Sequence, residues 1–189
     1  MGVDPGLTRC GVGIVRGGVG TPLELLGVGV IRTPSDLDHG ARLLRIHDGL
    51  EEWFDAHHPD AMAVERVFAQ HNRSTVAGTA QAMGLTQMIG ARHGVAVGVH
   101  TPSEVKAAIS GSGRADKAQV GLMVARVLHL EKPPTPADAA DALALAITHI
   151  WRGGTQSRIE AAMAVHQHSP ARTWRQRSAP RTRQEHHLR

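Results

Sequence analysis

The sequence predicts one α/β domain with a mixed five-stranded sheet, helices on both faces and a basic tail behind it. Strand and helix patterns alternate after the first three strands, which is typical of a sheet with a parallel portion. A chain of 189 residues with 41% apolar and 20% charged residues has the size and composition of one ordinary globular domain. From Gln167 onward the sequence is too polar to bury a core of its own.

The first three predicted strands form a meander. A short strand ends at Asp4, and two runs rich in β-branched residues follow at 10–15 and 23–31. A glycine-rich turn at 17–22 separates the two runs. We therefore expect the second and third strands to pair as a hairpin.

Helices and strands alternate in the middle of the chain. Apolar residues recur at helical spacing from Leu37 to Phe54. A strand is predicted at 61–67, a helix at 74–92 and another strand at 95–100. Because the residues of the second helix are small and apolar, we expect this helix to be buried tightly against the sheet.

Three further helices complete the predicted domain. Thr101 and Glu104 have the spacing of a capping box, with Pro102 at the first helical position. Glycines interrupt this helix, a second one follows at 116–130, and a third begins after Pro136.

Charge is distributed unevenly along the chain. Residues 152–189 hold eight arginines against two glutamates, a net charge of +6, whereas residues 1–151 carry a net charge of −2. A basic segment without a hydrophobic core often adds salt-sensitive affinity for phosphates. The alternative interpretation is a solvated extension that has no function. We predict a folded domain over 1–151 and a disordered basic tail over 152–189.

Composition excludes several classes of protein. The single cysteine, Cys10, cannot form an internal disulfide or a four-cysteine zinc site. No apolar run approaches the ~20 residues of a membrane span, and the N-terminal residues lack the basic and apolar regions of a signal peptide. We therefore expect a reduced, cytoplasmic protein.

Four carboxylates stand where folding alone would favour apolar residues. They are Asp4 at the end of the first strand, Glu65 in a predicted buried strand, and Asp138 and Asp141 on one face of an apolar helix. Each of the first three has a structural alternative: a turn aspartate, a strand-end glutamate and a helix N-terminal acid, respectively. Asp141 is harder to explain in this way, because its helix is apolar on every side.

A shared metal site would explain all four acids together. Carboxylates repel one another unless a cation neutralises them, and hard oxygen ligands suit Mg²⁺ or Mn²⁺. Two such ions about 4 Å apart would activate a water and stabilise the leaving 3′ oxygen in phosphodiester hydrolysis. The pattern therefore predicts a metal-dependent nuclease if the three regions converge.

Three segments of the sequence resemble one known family in content and order. They are Val-Asp-Pro-Gly-Leu-Thr-Arg-Cys-Gly within 2–11, Val-Glu-Arg-Val-Phe at 64–68, and Ala-Asp-Ala-Ala-Asp-Ala-Leu-Ala at the start of 137–149. This combination is similar to the RuvC family of Holliday-junction resolvases over about residues 2–151. The resemblance implies an RNase H-like fold, a homodimer, and magnesium-dependent nicking of two strands of like polarity at a four-way DNA junction.

The resemblance also implies roles for individual residues. Asp4, Glu65, Asp138 and Asp141 match the family's catalytic acids, which bind two Mg²⁺ per active site, with Mn²⁺ as a substitute. The implied cellular partner is the RuvA-RuvB branch-migration complex.

Four further residues match positions near DNA. Lys106 and Lys117 resemble basic residues beside the DNA backbone, and Phe68 resembles an aromatic wedge at the junction centre. Arg73 lies in the DNA-facing loop, where the match is looser. The structural alternatives are a solvated helix surface for the two lysines and a core position for Phe68.

The chain departs from the family pattern at both ends. Family members usually have a few more residues before the Val-Asp-Pro-Gly motif, so we expect a shortened first strand that holds Asp4 less firmly. The resemblance does not cover the tail from about residue 152.

Three alternative functions compete with this interpretation. Residues 4–8 fit the phosphate loop of actin-like ATPases and sugar kinases, but those proteins need a second domain and loop. An RNase H-like nuclease that trims precursor ribosomal RNA shares the Asp-Pro-Gly start, whereas Phe68 and the Asp138–Asp141 helix favour the junction enzyme. A noncatalytic nucleic-acid-binding protein is disfavoured, because an acidic cleft repels phosphate unless metals fill it.

Overall fold

A computed structural model describes residues 1–67 and 73–167 of the chain. The chain divides into two units, Met1–Thr155 and Gln156–Arg189, and the whole sheet belongs to the first. Within the described ranges, none of the helices combines the length and the apolar character that crossing a bilayer requires.

Five strands form one mixed sheet in the order β3-β2-β1-β4-β5. The strands are β1 (Gly2–Asp4), β2 (Arg9–Arg16), β3 (Glu24–Arg32), β4 (Met62–Glu65) and β5 (Val97–His100). β1, β2 and β3 pair antiparallel, whereas β1 pairs parallel with β4, and β4 with β5. The predicted meander, its hairpin and the parallel portion are all confirmed.

Five helices accompany the sheet within the described part of the chain. They are α1 (His39–His57), α2 (Arg73–Arg92), α3 (Pro102–Ser110), α4 (Lys117–Val127) and α5 (Ala137–Gln167). The capping box predicted at Thr101 and Glu104 is present, and Asp116 caps α4 in the same way with Gln119. α5 continues past residue 151, where we expected the tail to begin. Disorder of the tail stays a prediction for residues 168–189, which lie outside the described residues.

The side chains of each central strand alternate between two cores. One core joins α1 and α2 to the sheet, and there Val3, Cys10, Val12 and Ile14 pack against Ile46 and Leu50. The other core joins α3, α4 and α5 and includes Ala63, Val105, Val124, Leu143 and Leu145. The helices therefore cover both faces, as the predicted fold class requires.

Two local expectations differ from the structure. α2 is only half buried, because Ala82, Thr86 and Ile89 face the core while Met88 is 47% exposed. Small apolar side chains fit a helix–sheet contact, but they do not require one on every side. The strand predicted to run to residue 67 ends at Glu65 instead.

Candidate active site

The first two acids lie side by side at one edge of the sheet. Asp4 ends β1 and Glu65 ends β4, and these two strands are parallel neighbours with Val3 opposite Val64. Because side chains alternate along a strand, Asp4 and Glu65 lie on the same face as Gly2 and Ala63. That face is the one covered by α5.

The other two acids reach this edge because α5 packs very closely on β1 and β2. A Cβ on Gly11 would overlap the backbone oxygen of Asp138, and a Cβ on Gly13 would lie 2.8 Å from the Leu143 side chain. Gly11 is also the β2 partner of Asp4. These glycines therefore bring the first turns of α5, with Asp138 and Asp141, beside the strand that carries Asp4.

A cavity of about 220 Å³ lies where these elements meet. It is lined by three of the predicted acids, both predicted lysines and three apolar neighbours: Asp4, Glu65, Asp141, Lys106, Lys117, Pro102, Val105 and Val120. Lys117 donates from Nζ to Asp141 Oδ2 at 2.8 Å. The structure thus brings together five of the eight residues for which we predicted roles.

Asp138 occupies the margin of this group rather than the cavity wall. Its Oδ2 lies 2.6 Å from Nε of Arg9, and its side chain is 25% exposed. This oxygen is nevertheless buried and accepts no hydrogen bond from any described residue, because the Arg9 contact lacks hydrogen-bond geometry. The negative charge of Asp138 still acts on Asp4.

Two predicted DNA contacts remain untested by the structure. Phe68 lies outside the described residues. Arg73 is the first residue of α2, and its side chain lies outside the described part of the chain.

The clustering of carboxylates changes their proton affinities. Burial, followed by the charges of Asp141, Glu65 and Asp138, raises the pKa of Asp4 to about 7. The pKa of Glu65 is raised as well, mainly by burial and next by Asp141. The hydrogen bond to Asp141 raises the pKa of Lys117, so this amine stays charged at neutral pH.

These side chains fit a divalent cation. Their ligand atoms are hard carboxylate oxygens, and the buried Oδ2 of Asp138 lies beside the charge of Arg9 but accepts no hydrogen bond from any described residue. Burial is the main cause of the raised pKa values of Asp4 and Glu65, and the charges of neighbouring carboxylates raise them further, so the deprotonated acids need added positive charge. A bound cation would supply that charge.

A second cluster of metal-ligand type lies elsewhere. Glu51 and Asp55 of α1 and His93, just after α2, place ligand atoms within 4.8 Å of one another. Arg92 already lies 3.5 Å from Glu51, so this group has a positive charge of its own. It does not belong to the predicted site.

Sequence reasoning missed Arg9. The available signal was its position, because Arg9 is the one charged residue between Asp4 and Arg16. A lone cation so near the first acid indicates an ion pair, but only the packing of α5 shows that its partner is Asp138.

Comparison with known proteins agrees with this geometry. Residues 1–149 match the family model described as "Crossover junction endodeoxyribonuclease RuvC". The protein of that name from Cutibacterium acnes is 76% identical over 165 residues, which are 87% of this chain and 84% of that protein. Its counterpart from Streptomyces avermitilis is 61% identical over 166 residues, 88% of this chain and 94% of that protein.

A solved structure shows the same fold. "T. thermophilus RuvC in complex with Holliday junction substrate" superposes with a TM-score of 0.78 at 33% identity, covering 82% of this chain and 94% of that one. The predicted RNase H-like fold, which RuvC and other resolvases share, is confirmed by this likeness. By sequence and fold together, this chain belongs to the RuvC family of crossover junction endodeoxyribonucleases.

Proposed function

We propose that this chain resolves four-way (Holliday) DNA junctions by paired, magnesium-dependent nicks in strands of like polarity, in homologous recombination and DNA repair. The observation that carries the proposal is the convergence of Asp4, Glu65 and Asp141 with two lysines on one cavity. The Thermus relative with the same fold was solved with a Holliday junction. Carboxylates and amines together suit the hydrolysis of a phosphodiester, because the carboxylates can hold a metal ion and the amines can neutralise the charge of the phosphate.

The four acids are the residues that we propose hold the metal. Asp4, Glu65, Asp138 and Asp141 would bind two Mg²⁺, with Mn²⁺ as a substitute. When bound, the ions supply a water of lowered pKa and positive charge for the leaving 3′ oxygen, which leaves a 5′ phosphate. Asp4 must lose its proton before it can act as a ligand, and its pKa of about 7 makes this step sensitive to pH near neutrality.

The two lysines act on the substrate in this proposal. Lys106 and Lys117 line the same cavity as the acids, and Lys117 is 72% exposed in spite of its bond to Asp141. An exposed amine beside the acids can reach the phosphate and neutralise charge that grows in the transition state. Such a contact contributes more to the rate than to ground-state binding.

Phe68 and Arg73 are two further proposed DNA contacts. Phe68 follows Glu65 by three residues, so its ring is close in sequence to a proposed metal ligand. Stacking on an unpaired base at the junction centre would contribute ~1 to 3 kcal/mol. Arg73 is proposed to contact a phosphate, and its substitution would weaken binding without changing the preferred cleavage sequence.

Paired nicks require two active sites, so we propose a homodimer. A four-way junction has approximate two-fold symmetry, which a two-fold dimer matches. One surface that suits this contact is the outer face of α2, where Met88 is exposed and a Cβ on Gly84 would meet no atom within 4 Å among the described residues.

The dimer proposal is tested by the mass of the full chain in solution. Light scattering after gel filtration should give twice the chain mass of 20.2 kDa for the wild type. Met88→Glu should shift the mass toward that of the monomer. Leu122→Glu, at another exposed apolar position, on α4, should not. A monomeric wild type would contradict the dimer, and a dimeric Met88→Glu would place the interface elsewhere.

We further propose that this enzyme works in the cytoplasm with the RuvA-RuvB branch-migration complex, which would deliver junctions to it.

We also propose that residues 152–189 form a tail that adds salt-sensitive, sequence-independent DNA affinity, because they carry a net charge of +6. Removal of residues 168–189, which follow α5, should flatten the dependence of junction binding on salt and leave the cleavage position unchanged.

One experiment tests the central proposal. A synthetic four-way junction and a linear duplex of the same sequence are incubated with Mg²⁺ and either the wild type or Asp141→Asn. We expect paired nicks on the junction alone, lost in Asp141→Asn while junction binding remains. Equal cleavage of the duplex would contradict junction selectivity, and full activity of Asp141→Asn would contradict the proposed site.

A further inference from the structure

Arg9 is the second cation beside the acids of α5, and it lies on the sheet side of the site. It is the first residue of β2, the strand that pairs antiparallel with β1. Its Nε lies 2.6 Å from Oδ2 of Asp138, with 42% of the Arg9 side chain and 25% of the Asp138 side chain exposed. Arg9 therefore connects the sheet directly to the predicted ligand on the helix.

The Arg9 contact differs in kind from that of Lys117. Lys117 donates a hydrogen bond to Asp141, whereas Asp138 Oδ2 accepts none from any described residue and is itself buried. Arg9 therefore acts on this oxygen by charge and proximity, without the directional bond that would hold it in place. Its partial exposure gives the guanidinium room to move toward solvent or a phosphate.

We propose that Arg9 competes with divalent cations for Asp138. The proposal rests on the metal-binding role proposed above for the four acids. In the metal-free site the guanidinium supplies part of the missing positive charge. A cation that enters must either displace Arg9 from Asp138 Oδ2 or bind against its repulsion.

This competition sets the direction of the expected effect. Removal of the Arg9 charge leaves Asp138 without its counter-ion, so a divalent cation binds more tightly. Charges of like sign a few ångströms apart near a protein surface interact strongly enough to change a binding constant by about tenfold or more. The alternative, in which Arg9 orients Asp138 as a ligand, predicts the opposite sign, because an orienting partner strengthens metal binding.

The test measures Mn²⁺ binding to the DNA-free full chain, with free Mn²⁺ detected by electron paramagnetic resonance. Arg9→Gln should lower the dissociation constant at least tenfold, and Arg9→Lys should stay near the wild type. Arg16→Gln is the matched control, because Arg16 ends the same strand and pairs with the exposed Glu24. It should leave Mn²⁺ binding unchanged.

A double-mutant cycle assigns the effect to Asp138. In the Asp138→Asn background, Arg9→Gln should change Mn²⁺ affinity much less, because the charge for which Arg9 competes is gone and only its repulsion of the cation remains. This background also separates the proposed site from any binding at Glu51, Asp55 and His93. Thermal unfolding of each variant without metal checks that the fold is intact.

The outcomes separate this inference from the proposed function. Wild type and Asp138→Asn that bind Mn²⁺ equally would overturn the metal-binding role of Asp138 and, with it, the role of Arg9. A second outcome is that Asp138→Asn binds Mn²⁺ more weakly than the wild type, while Arg9→Gln binds it as the wild type does or more weakly. This outcome would overturn only the inference about Arg9.

Discussion

Lys117 and Asp141 are joined across two helices by a 2.8 Å hydrogen bond from Nζ to Oδ2. The lysine is the first residue of α4 and the aspartate lies in the second turn of α5. The side chain of Lys117 is 72% exposed, whereas that of Asp141 is 23% exposed. An exposed cation thus lies beside the acids, where we propose that a phosphate of the substrate binds.

We expect Lys117→Met to reduce junction cleavage about 100-fold, because a charge that stabilises the transition state is removed. Junction binding should change little, since one phosphate contact of many is lost. Single-turnover cleavage and gel-shift titration measure the two effects. Lys132→Met, an exposed lysine outside the cavity, should leave both unchanged. A large loss of binding with an unchanged cleavage rate would show that Lys117 only anchors DNA.

The stability of the metal-free protein should depend on pH through Asp4. Its folded pKa is raised from 3.8 to about 7, so the native state holds a proton that the unfolded state releases. The stability from that proton is fully present below about pH 4 and is lost as the pH rises through 7. Asp4→Asn removes this loss, so the free energy of unfolding of the variant should rise relative to that of the wild type between pH 5 and pH 8.

The gain is measured as the difference in free energy of unfolding between Asp4→Asn and the wild type, with a chelator present. It should grow with pH by up to about 4 kcal/mol, the limit set by a shift of about three pH units. Asp36→Asn, a change at an exposed loop aspartate, should show no such growth. Added Mg²⁺ should stabilise the wild type at pH 8 and Asp4→Asn much less. A difference that does not vary with pH would contradict the raised pKa.

Alternation and order along the chain predict the meander, its hairpin and the parallel portion of the sheet. Glu65 was expected on the face of Ala63 because side chains alternate, and the structure places it there. The Arg9–Asp138 contact was not predictable, since it depends on how closely α5 approaches the glycines of β2. The exposed side of α2 was not predicted for a related reason. Small residues permit a helix to be buried, but they do not determine which of its sides packs against another element.

Arg42 should stabilise the loop that follows Asp4. It donates from Nη2 to Thr8 Oγ1 at 2.6 Å and from Nε to Thr33 Oγ1 at 2.9 Å, and Thr33 in turn donates to the backbone oxygen of Leu7. Because Thr33 is buried, Arg42→Met should lower the free energy of unfolding by about 1–3 kcal/mol. Urea unfolding measures this loss. Arg45→Met, at an exposed position on the same helix, should cost much less, and an equal loss in both variants would contradict the proposed anchor.

The close contact between Gly11 and α5 should be more important for cleavage than for folding. A Cβ at position 11 would overlap the backbone oxygen of Asp138, so Gly11→Ala must move the start of α5 away from β2. We expect a loss of about 1–3 kcal/mol in unfolding free energy, typical of overpacking. Cleavage should fall about 100-fold, because a shift of ~1 Å misplaces Asp138 and Asp141 relative to Asp4.

Gly121→Ala is the matched control for this substitution. Gly121 lies inside α4, and its nearest neighbour to a new Cβ is Pro133 at 3.7 Å, an ordinary contact. Alanine there should leave cleavage unchanged and raise the unfolding free energy by up to about 1 kcal/mol, because it restricts the unfolded chain and favours helix. If Gly11→Ala lost stability but cleaved at the wild-type rate, the spacing between α5 and β2 would not position the acids.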